Sequence, residues 1–375
     1  MRLVKKTQVL LPEDFLRTRP TGDLFGRYFE ESGIFNVVPK EFARENPALY
    51  PKIGELFLEN VAPPADFTGL FGYHTADGVR FSYRGEDYET KYYSLFNDVF
   101  SRNTGILESR LLLDKRAMIL GCGSVGSLVA LELARSGVGA FTLIDNDVLE
   151  YHNLARHQCS ISDVGDLKVN AVKRRILEIN PSARVDVYPL VIETLPKEAF
   201  DVFERESGII IGCADNRPAD VYANAMSVIY KTPFLSIGCW ERAFAGAIFY
   251  WLPGMPCYKC ALGDGGALDA RSDVSRRFYT DDESGAPLAF EPGIAADIDF
   301  VTLVGVKLSL DLLLKDTEGY TVRLLDYFRQ YTLICNTHKT EVGGDMAEIF
   351  SHPLQVTTSL VTKFQGDCPP CKYDR

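Results

Sequence analysis

Apolar stretches of about five residues alternate with longer amphipathic stretches from Lys115 onwards. Short apolar runs predict buried strands, and amphipathic stretches between them predict the crossover helices of a parallel α/β sheet. The second helix should end before Asn180-Pro181, because proline cannot continue a helix. The predicted strands cover residues 117–121, 141–145, 184–190, 208–212 and 234–238, and the predicted helices cover residues 124–135, 167–179 and 217–230.

The pattern changes after the fifth of these strands. Residues 243–254 predict a strand that turns into a hairpin, and residues 322–327 and 331–336 predict late antiparallel strands. Residues 294–314 are mostly apolar but are interrupted by charged residues, so they predict a helix that faces the core. The predicted fold class is therefore α/β: a doubly wound, Rossmann-like, mostly parallel sheet with C-terminal antiparallel strands.

The N-terminal part of the chain has no repeating α/β pattern. It contains stretches that carry proline and glycine, a segment at residues 24–35 that predicts a short helix, and a segment at residues 78–84 that predicts a strand. We expect residues 1–89 to form a small accessory domain for substrate recognition. Residues 90–375 then form the domain that contains the sheet.

The chain has 375 residues and a formal net charge of -11. An acidic protein repels nucleic-acid phosphates and anionic membrane surfaces, so neither is an expected partner. The N-terminus does not resemble a secretory signal, and no apolar run reaches the roughly 20 residues that a membrane span needs. We therefore expect a soluble, cytoplasmic protein.

A glycine-rich loop, with Gly121, Gly123 and Gly126, lies between the first predicted strand and the first predicted helix. Glycines in this context allow a tight turn and close approach of the backbone to phosphate, which the helix N-terminus also attracts. Asp145 follows the next strand, where an acidic residue would bind ribose hydroxyls. The loop predicts a nucleotide site but leaves open whether the ligand is a dinucleotide or ATP.

The residues after Asp145 help to decide between a dinucleotide and ATP as the ligand. With the glycine loop they resemble the ubiquitin-activating-like adenylating superfamily of the ThiF/MoeB/HesA type, from about Tyr92 to the C-terminus. That superfamily includes the adenylyltransferases of molybdopterin and thiazole biosynthesis and the microcin-maturing enzyme. The shared elements are an Asp-x-Asp, an Asn-x-x-Arg, a downstream Lys and a later Asp-Asn, here Asp145 and Asp147, Asn153 and Arg156, Lys168, and Asp215-Asn216.

The resemblance implies an ATP-dependent adenylyltransferase that also binds Mg²⁺. Arg156 and Lys168 would neutralise the charge that builds on the phosphates, because arginine contacts phosphate in a bidentate way and lysine acts as a point charge. Asp215 would hold Mg²⁺, which prefers oxygen ligands. Asn153 would support the phosphates or the metal. Singly, Arg156 and Lys168 are more typical of cations on a helix surface.

Two further members of the pattern have structural alternatives. Asp147 is as consistent with a turn as with a ligand. Asp215-Asn216 also predicts a helix N-cap before Arg217-Pro218, which is compatible with nucleotide and metal binding by the same pair. Arg102, just before the first strand, matches the position of an arginine that reaches into the partner subunit's ATP site in the superfamily. That resemblance implies a homodimer, and an ordinary surface arginine is the alternative.

Four of the nine cysteines form two Cys-x-x-Cys pairs, Cys257 with Cys260 and Cys368 with Cys371. Four thiolates predict a tetrahedral structural zinc site, with an iron–sulfur cluster or a redox pair as alternatives. The resemblance implies that this site fastens the C-terminal tail to the core. Some members carry a nucleophilic cysteine in the loop after the first pair, but residues 261–292 contain no cysteine, which argues against thioester transfer through that loop. Cys239, which ends a predicted strand on the ligand-binding edge, is the only candidate nucleophile, and a buried structural thiol is the alternative.

Several functions remain open at this stage. The first is activation of the C-terminal carboxylate of a small ubiquitin-like or sulfur-carrier protein. A second is an adenylating enzyme, or a non-catalytic leader-binding module, for a ribosomally made peptide. A third is an NAD-dependent oxidoreductase, which the glycine loop permits but in which the Asn-x-x-Arg has no role. The segment 269–287 would be a mobile crossover loop that binds the substrate.

Overall fold

The computed structural model describes residues 6–45, 47–61, 66–214, 216–240, 243–262, 292–338, 359–366 and 368–373. The chain divides into two compact units, Met1–Arg102 and Asn103–Arg375. The sequence pattern places a boundary at residue 89, which falls inside a strand of the first unit. Of the helices that the structure describes, none combines the length and the apolarity needed to cross a membrane.

The N-terminal unit is a closed barrel of seven strands in the order β1-β3-β2-β4-β5-β6-β7, with β7 pairing back to β1. Its strands are β1 (Gln8–Pro12), β2 (Gly22–Phe29), β3 (Ile34–Val38), β4 (Lys52–Phe57), β5 (Leu70–His74), β6 (Val79–Tyr83) and β7 (Glu86–Tyr93). Three short helices accompany them, α1 (Asp14–Thr18), α2 (Lys40–Glu45) and α3 (Leu95–Val99).

The helix predicted over residues 24–35 is wrong, because this segment forms the β2–β3 hairpin. Leu24 and Phe35 point into the barrel and are almost completely buried. Gly33 ends the turn between the strands with φ 71°, a conformation that favours glycine. Strand pairing and a shared core therefore override the local helical spacing, whereas the strand predicted at residues 78–84 is confirmed as β6.

The second unit contains an eight-stranded sheet in the order β10-β9-β8-β11-β12-β13-β14-β15. Strands β8 to β12 pair in parallel and the last three pair antiparallel, which confirms the predicted mixed α/β, mostly parallel sheet. The strands are β8 (Arg116–Leu120), β9 (Ala140–Ile144), β10 (Arg184–Tyr188), β11 (Gly208–Gly212), β12 (Phe234–Cys239), β13 (Ala245–Trp251), β14 (Tyr331–Cys335) and β15 (Ser359–Leu360).

Helices cover both faces of this sheet, because its central strands are apolar at successive positions. On β11, Ile209 and Ile211 face one core while Ile210 faces the other. Helices α4 (Ser124–Ser136), α5 (Lys168–Ile179) and α8 (Ala295–Leu314) pack on the first face. Helices α6 (Arg217–Tyr230) and α7 (Tyr258–Leu262) pack on the second. This arrangement matches the doubly wound expectation.

One predicted strand of this unit is wrong. Residues 322–327 form a loop with a short 3-10 helix, Leu325–Tyr327. The cause is Asp311, a buried carboxylate on α8 that accepts hydrogen bonds from the backbone N–H groups of Arg323, Leu324 and Leu325. Those donors bind the carboxylate and are not available to a neighbouring strand. The core-facing helix predicted over residues 294–314 is confirmed as α8.

Candidate active site

A cavity of about 370 Å³ lies at the carboxyl ends of β8 and β11. These two strands are neighbours in the sheet, but the chain winds outward from them in opposite directions. In α/β sheets, ligands bind in the crevice at such a switch point. Residues from several distant parts of the chain line this cavity: Gly121, Gly123, Ser124, Val125, Asp145, Asp147, Arg156, Lys168, Cys213, Ala214, Ile237, Gly238, Cys239, Trp240, Ala243, Pro292, Gly293 and Ile298.

The glycine loop forms the turn from β8 into α4. Gly121 has φ 93°, and a Cβ at Gly126 would lie 1.8 Å from the carbonyl oxygen of Gly121, so neither position accepts a side chain. A Cβ at Gly123 would meet nothing within 4 Å. Gly123 is the N-cap of α4, so the cavity is open to the N–H groups of the first helical turn.

Asp145 directly follows β9, and its carboxylate accepts hydrogen bonds from two backbone N–H groups. One oxygen accepts the N–H of Cys122 at 2.6 Å, and the other accepts the N–H of Asp147 at 2.8 Å. The carboxylate thereby joins the glycine loop to the turn after β9. A carboxylate oxygen has two acceptor positions, so each can still accept a ribose hydroxyl.

The two cations predicted for phosphate binding both line the cavity. Lys168 begins α5, and its ammonium group lies 2.8 Å from a carboxylate oxygen of Asp147. Arg156 reaches across to Gly293, where its Nη1 lies 3.8 Å from the position that a Cβ would occupy. Residues 121–126, 145, 147, 156 and 168 are far apart in the sequence, and the fold brings them to one cavity.

The remaining predicted residues occupy other positions. The Asn153 carboxamide oxygen accepts the N–H of Glu150 in a capped 3-10 turn, and Asn216 caps α6 through the N–H of Ala219 and donates to Glu193. Arg102 is an exposed residue at the end of the N-terminal unit. Asp215, the crossover loop predicted at residues 269–287 and residues 263–291 in general lie outside the described part of the chain.

Two features of the site were not predicted from the sequence, the apolar wall of the cavity and one histidine. Ile237, Trp240 and Ile298 form the wall, and only the tertiary fold brings β12 and α8 together there. His157 directly follows Arg156, and its Nε2 lies 2.7 Å from the carbonyl oxygen of Cys122 in the glycine loop. Its position directly after the Asn-x-x-Arg motif is the sequence feature that could have indicated a role in the site. Cys239 lines the cavity.

The four predicted metal ligands meet at one point. The Sγ atoms of Cys257, Cys260, Cys368 and Cys371 all lie within 4.8 Å of one another and are buried. The pairs that bridge the two motifs are 3.3 Å apart for Cys257 and Cys368 and 3.6 Å apart for Cys260 and Cys371. A zinc ion bound to four thiolates at about 2.3 Å separates the sulfurs by about 3.8 Å, so the cluster fits a tetrahedral ion.

The surroundings of this cluster also fit a cation. Burial raises the pKa of the Cys257 thiol, and it raises the pKa of Cys260 to about 11. Burial acts in the same direction on Cys368, but hydrogen bonds from the other cysteines of the cluster outweigh it and lower the pKa of that thiol. Buried thiols stay protonated unless a positive charge stabilises the thiolates, which a divalent metal supplies. The backbone N–H of Gln365 lies 3.4 Å from Cys260 Sγ, a contact typical of a sulfur ligand held in place by its surroundings.

The chain is similar in sequence to curated adenylating enzymes over part of their length. The sulfur carrier protein ThiS adenylyltransferase of Bacillus subtilis is 35% identical over 157 residues, which cover 40% of this chain and 45% of that protein. The ubiquitin-like modifier-activating enzyme 5 of Drosophila virilis is 30% identical over 236 residues, which cover 60% of this chain and 57% of that protein. The chain thus spans about half the length of these relatives.

A solved structure and a family model agree with this similarity. The crystal structure of E. coli MccB with MccA is 21% identical, covers 73% of this chain and 74% of that chain, and has a TM-score of 0.51, which supports the fold. The family model for the ThiF family matches residues 100–342, almost the whole of the unit that contains the sheet and the cavity. The chain therefore belongs to the ThiF family, in the adenylating superfamily of the ThiF/MoeB type.

Proposed function

We propose that this chain uses ATP to adenylate the C-terminal carboxylate of a small ubiquitin-like protein or peptide, with release of pyrophosphate. One observation carries the proposal: a single cavity joins the glycine loop, Asp145, Arg156 and Lys168 at the switch point of the sheet. Phosphate-binding N–H groups, a ribose acceptor and two cations are the groups that adenylation requires.

In this reaction a carboxylate oxygen of the substrate attacks the α-phosphorus of ATP. The bond from that phosphorus to the bridging oxygen breaks, and the electron pair leaves with pyrophosphate. The residues of the chain position the reactants and stabilise the negative charge that develops. Lys168 would exchange Asp147 for the phosphate oxygens, and Arg156 would contact the phosphates from the opposite wall.

Magnesium would neutralise charge on the leaving pyrophosphate. Asp215 is the proposed ligand, because in the sequence it directly precedes Asn216, the N-cap of α6. The Glu193 carboxylate accepts a hydrogen bond from the Asn216 amide nitrogen at 2.8 Å, so a second carboxylate, a type of ligand that suits a hard cation, lies beside the N-cap.

The acceptor class is also a proposal. The names of the relatives point to a sulfur carrier protein and to a ubiquitin-like modifier, and the MccB structure contains a peptide. The barrel strands, which span residues 8–93, have their own apolar core and lie outside the family match, so we assign to the barrel the recognition of the substrate. A leader-binding role without catalysis is the alternative.

Intact-mass analysis tests this function. The purified chain is mixed with Mg-ATP and with small proteins and peptides encoded beside its gene. We expect one of them to gain a single adenylyl group while pyrophosphate is released, and we expect no adduct with the Lys168→Ala variant. If a protein or peptide that binds the chain gains no mass and no pyrophosphate is released, the result would instead support the leader-binding alternative.

We also propose a homodimer in which Arg102 acts in the partner's site. Exposure of Arg102 and its position just before the sheet-containing unit support this assignment. Tested alone, the Arg102→Ala and Lys168→Ala chains should each release pyrophosphate about 10²-fold or more slowly than the wild type. When the two are mixed and allowed to exchange subunits, about a quarter of the sites should combine intact residues and recover pyrophosphate release. Recovery absent from a verified mixed dimer would place Arg102 outside the reaction.

A further inference from the structure

His157 is a buried side chain with two fixed hydrogen-bond partners, although it is not among the residues that line the cavity. Its Nδ1 lies 3.1 Å from the backbone N–H of Cys159 and must accept that hydrogen. Its Nε2 lies 2.7 Å from the carbonyl oxygen of Cys122 and must therefore carry the proton and donate it. The two contacts together define one neutral tautomer.

The Cys122 carbonyl belongs to the centre of the glycine loop. In a trans peptide the carbonyl and the following N–H point in opposite directions. His157 holds the carbonyl on the protein side, so the N–H of Gly123 points the other way, where the cavity is open. The N–H of Cys122 is itself held by Asp145 at 2.6 Å, so both peptide units around Cys122 are fixed.

We propose that His157 is a positioning residue that orients the Cys122–Gly123 peptide so that the Gly123 N–H binds a phosphate of ATP. The inference rests on the proposed nucleotide function of the cavity. It also links two parts of the site, because His157 immediately follows Arg156. One short segment thus supplies a cation to the cavity and the support for the phosphate-binding loop.

The same geometry predicts a dependence on pH. Burial lowers the pKa of His157, and Lys168 acts in the same direction, while the bond to Cys122 and the carboxylates of Asp145 and Asp163 oppose both. Protonation would put a hydrogen on Nδ1, facing the N–H of Cys159. Because the folded pKa is depressed, the contribution to stability is complete above about pH 6.5 and is lost as the pH falls through the lowered pKa.

Two isosteric variants separate the contacts of His157. The amide nitrogen of Gln in H157Q reaches the Nε2 position and can still donate to Cys122, whereas the shorter Asn in H157N keeps only the acceptor for Cys159. We expect H157Q to bind Mg-ATP within about threefold of the wild type. H157N should bind about tenfold more weakly, the effect of one lost hydrogen bond, with a melting temperature close to that of H157Q.

Calorimetry of Mg-ATP binding between pH 5 and 8 adds a second readout. The ratio of the wild-type Kd to the H157Q Kd should rise as the pH falls through the lowered pKa of His157, because only the wild type has an imidazole to protonate, and the comparison cancels the titration of ATP itself. Equal binding of Mg-ATP by H157N and by the wild type would overturn the inference. A wild type that binds no Mg-ATP at pH 7.5 would instead overturn the proposed function.

Discussion

The environment of Lys168 bears most directly on what the cavity can bind. Its side chain is 11% exposed, whereas its partner Asp147 is 62% exposed. A shielded ammonium needs an opposite charge, and in this structure an exposed carboxylate supplies it. A phosphate group entering the cavity can replace Asp147 without leaving the lysine uncompensated. On the proposed function, this ion pair is the resting state that a nucleotide phosphate would displace.

Replacing Lys168 tests its role at the phosphates. Lys168→Ala should slow ATP–pyrophosphate exchange by about 10² to 10³, the range found when one preorganised charge or donor is removed from a transition state. Lys173→Ala, on the same helix but outside the cavity lining, is the matched control and should retain normal exchange. Exchange within threefold of the wild type for both variants would contradict the assignment.

At this scale the sequence predicted the cavity residues that glycine geometry or charge demands, such as Gly121 and Asp145. It could not decide the use of Asn153 and Asn216, because the carboxamide that binds a ligand also caps a helical turn. The structure places both in caps. His157 escaped prediction because its value depends on the distance to Cys122, 35 positions earlier in the chain.

Among the elements, α8 shows how one buried charge organises a chain segment. Asp311 is 1% exposed and accepts the N–H groups of residues 323, 324 and 325 and the hydroxyl of Tyr320 at 2.5 Å. These contacts fix the loop that leads into β14, the strand that pairs with β13. The antiparallel end of the sheet therefore depends on the end of α8.

The free energy of unfolding should fall by about 2–4 kcal/mol for Asp311→Ala, because several buried donors lose their acceptor. Asp316→Ala is the control, since that side chain is 83% exposed and pairs only with Lys315 among the contacts described. Denaturant unfolding monitored on the purified chain measures both. Equal stability of the two variants would mean that the carboxylate does not hold the loop.

Some elements could be predicted from the sequence, and others could not. Strands such as Gly208–Gly212 are buried on both faces, so an uninterrupted apolar run identifies them. The barrel strands have no such run, and their pairing joins distant residues, as when β1 meets both β3 and β7. The spacing of apolar residues within residues 24–35 does not indicate which distant strands pair with this segment, and the helix predicted there was therefore wrong.

For the molecule as a whole, the cysteine cluster is a long-range link along the chain. It brings residues 257–260 to residues 368–371, a separation of 111 positions in the sequence. Helix α7, which carries Cys260, packs on α6 in the second core of the sheet. A metal ion bound by these four thiolates would hold the C-terminal segment against the core of the folded chain, and its binding free energy would add to the stability of the folded state.

We propose that one zinc ion occupies this cluster, and its removal supplies the last prediction. Cys368→Ser should lose the metal and lower the melting temperature by at least about 5 °C, because metal binding contributes directly to folding. Cys335→Ser is the control, since Cys335 is also buried but contacts the carbonyl of Thr337 outside the cluster. Elemental analysis should find one zinc per wild-type and per Cys335→Ser chain.

A second substitution separates a metal site from mere packing. If Cys257 and Cys368 bind the same ion, the Cys257→Ser, Cys368→Ser double variant should be about as unstable as either single variant, because the first substitution already releases the metal. Additive losses would indicate that the two thiols only fill space. Iron in place of zinc, with visible absorbance, would assign the same four thiolates to an iron–sulfur cluster, since both groups accept this ligand set.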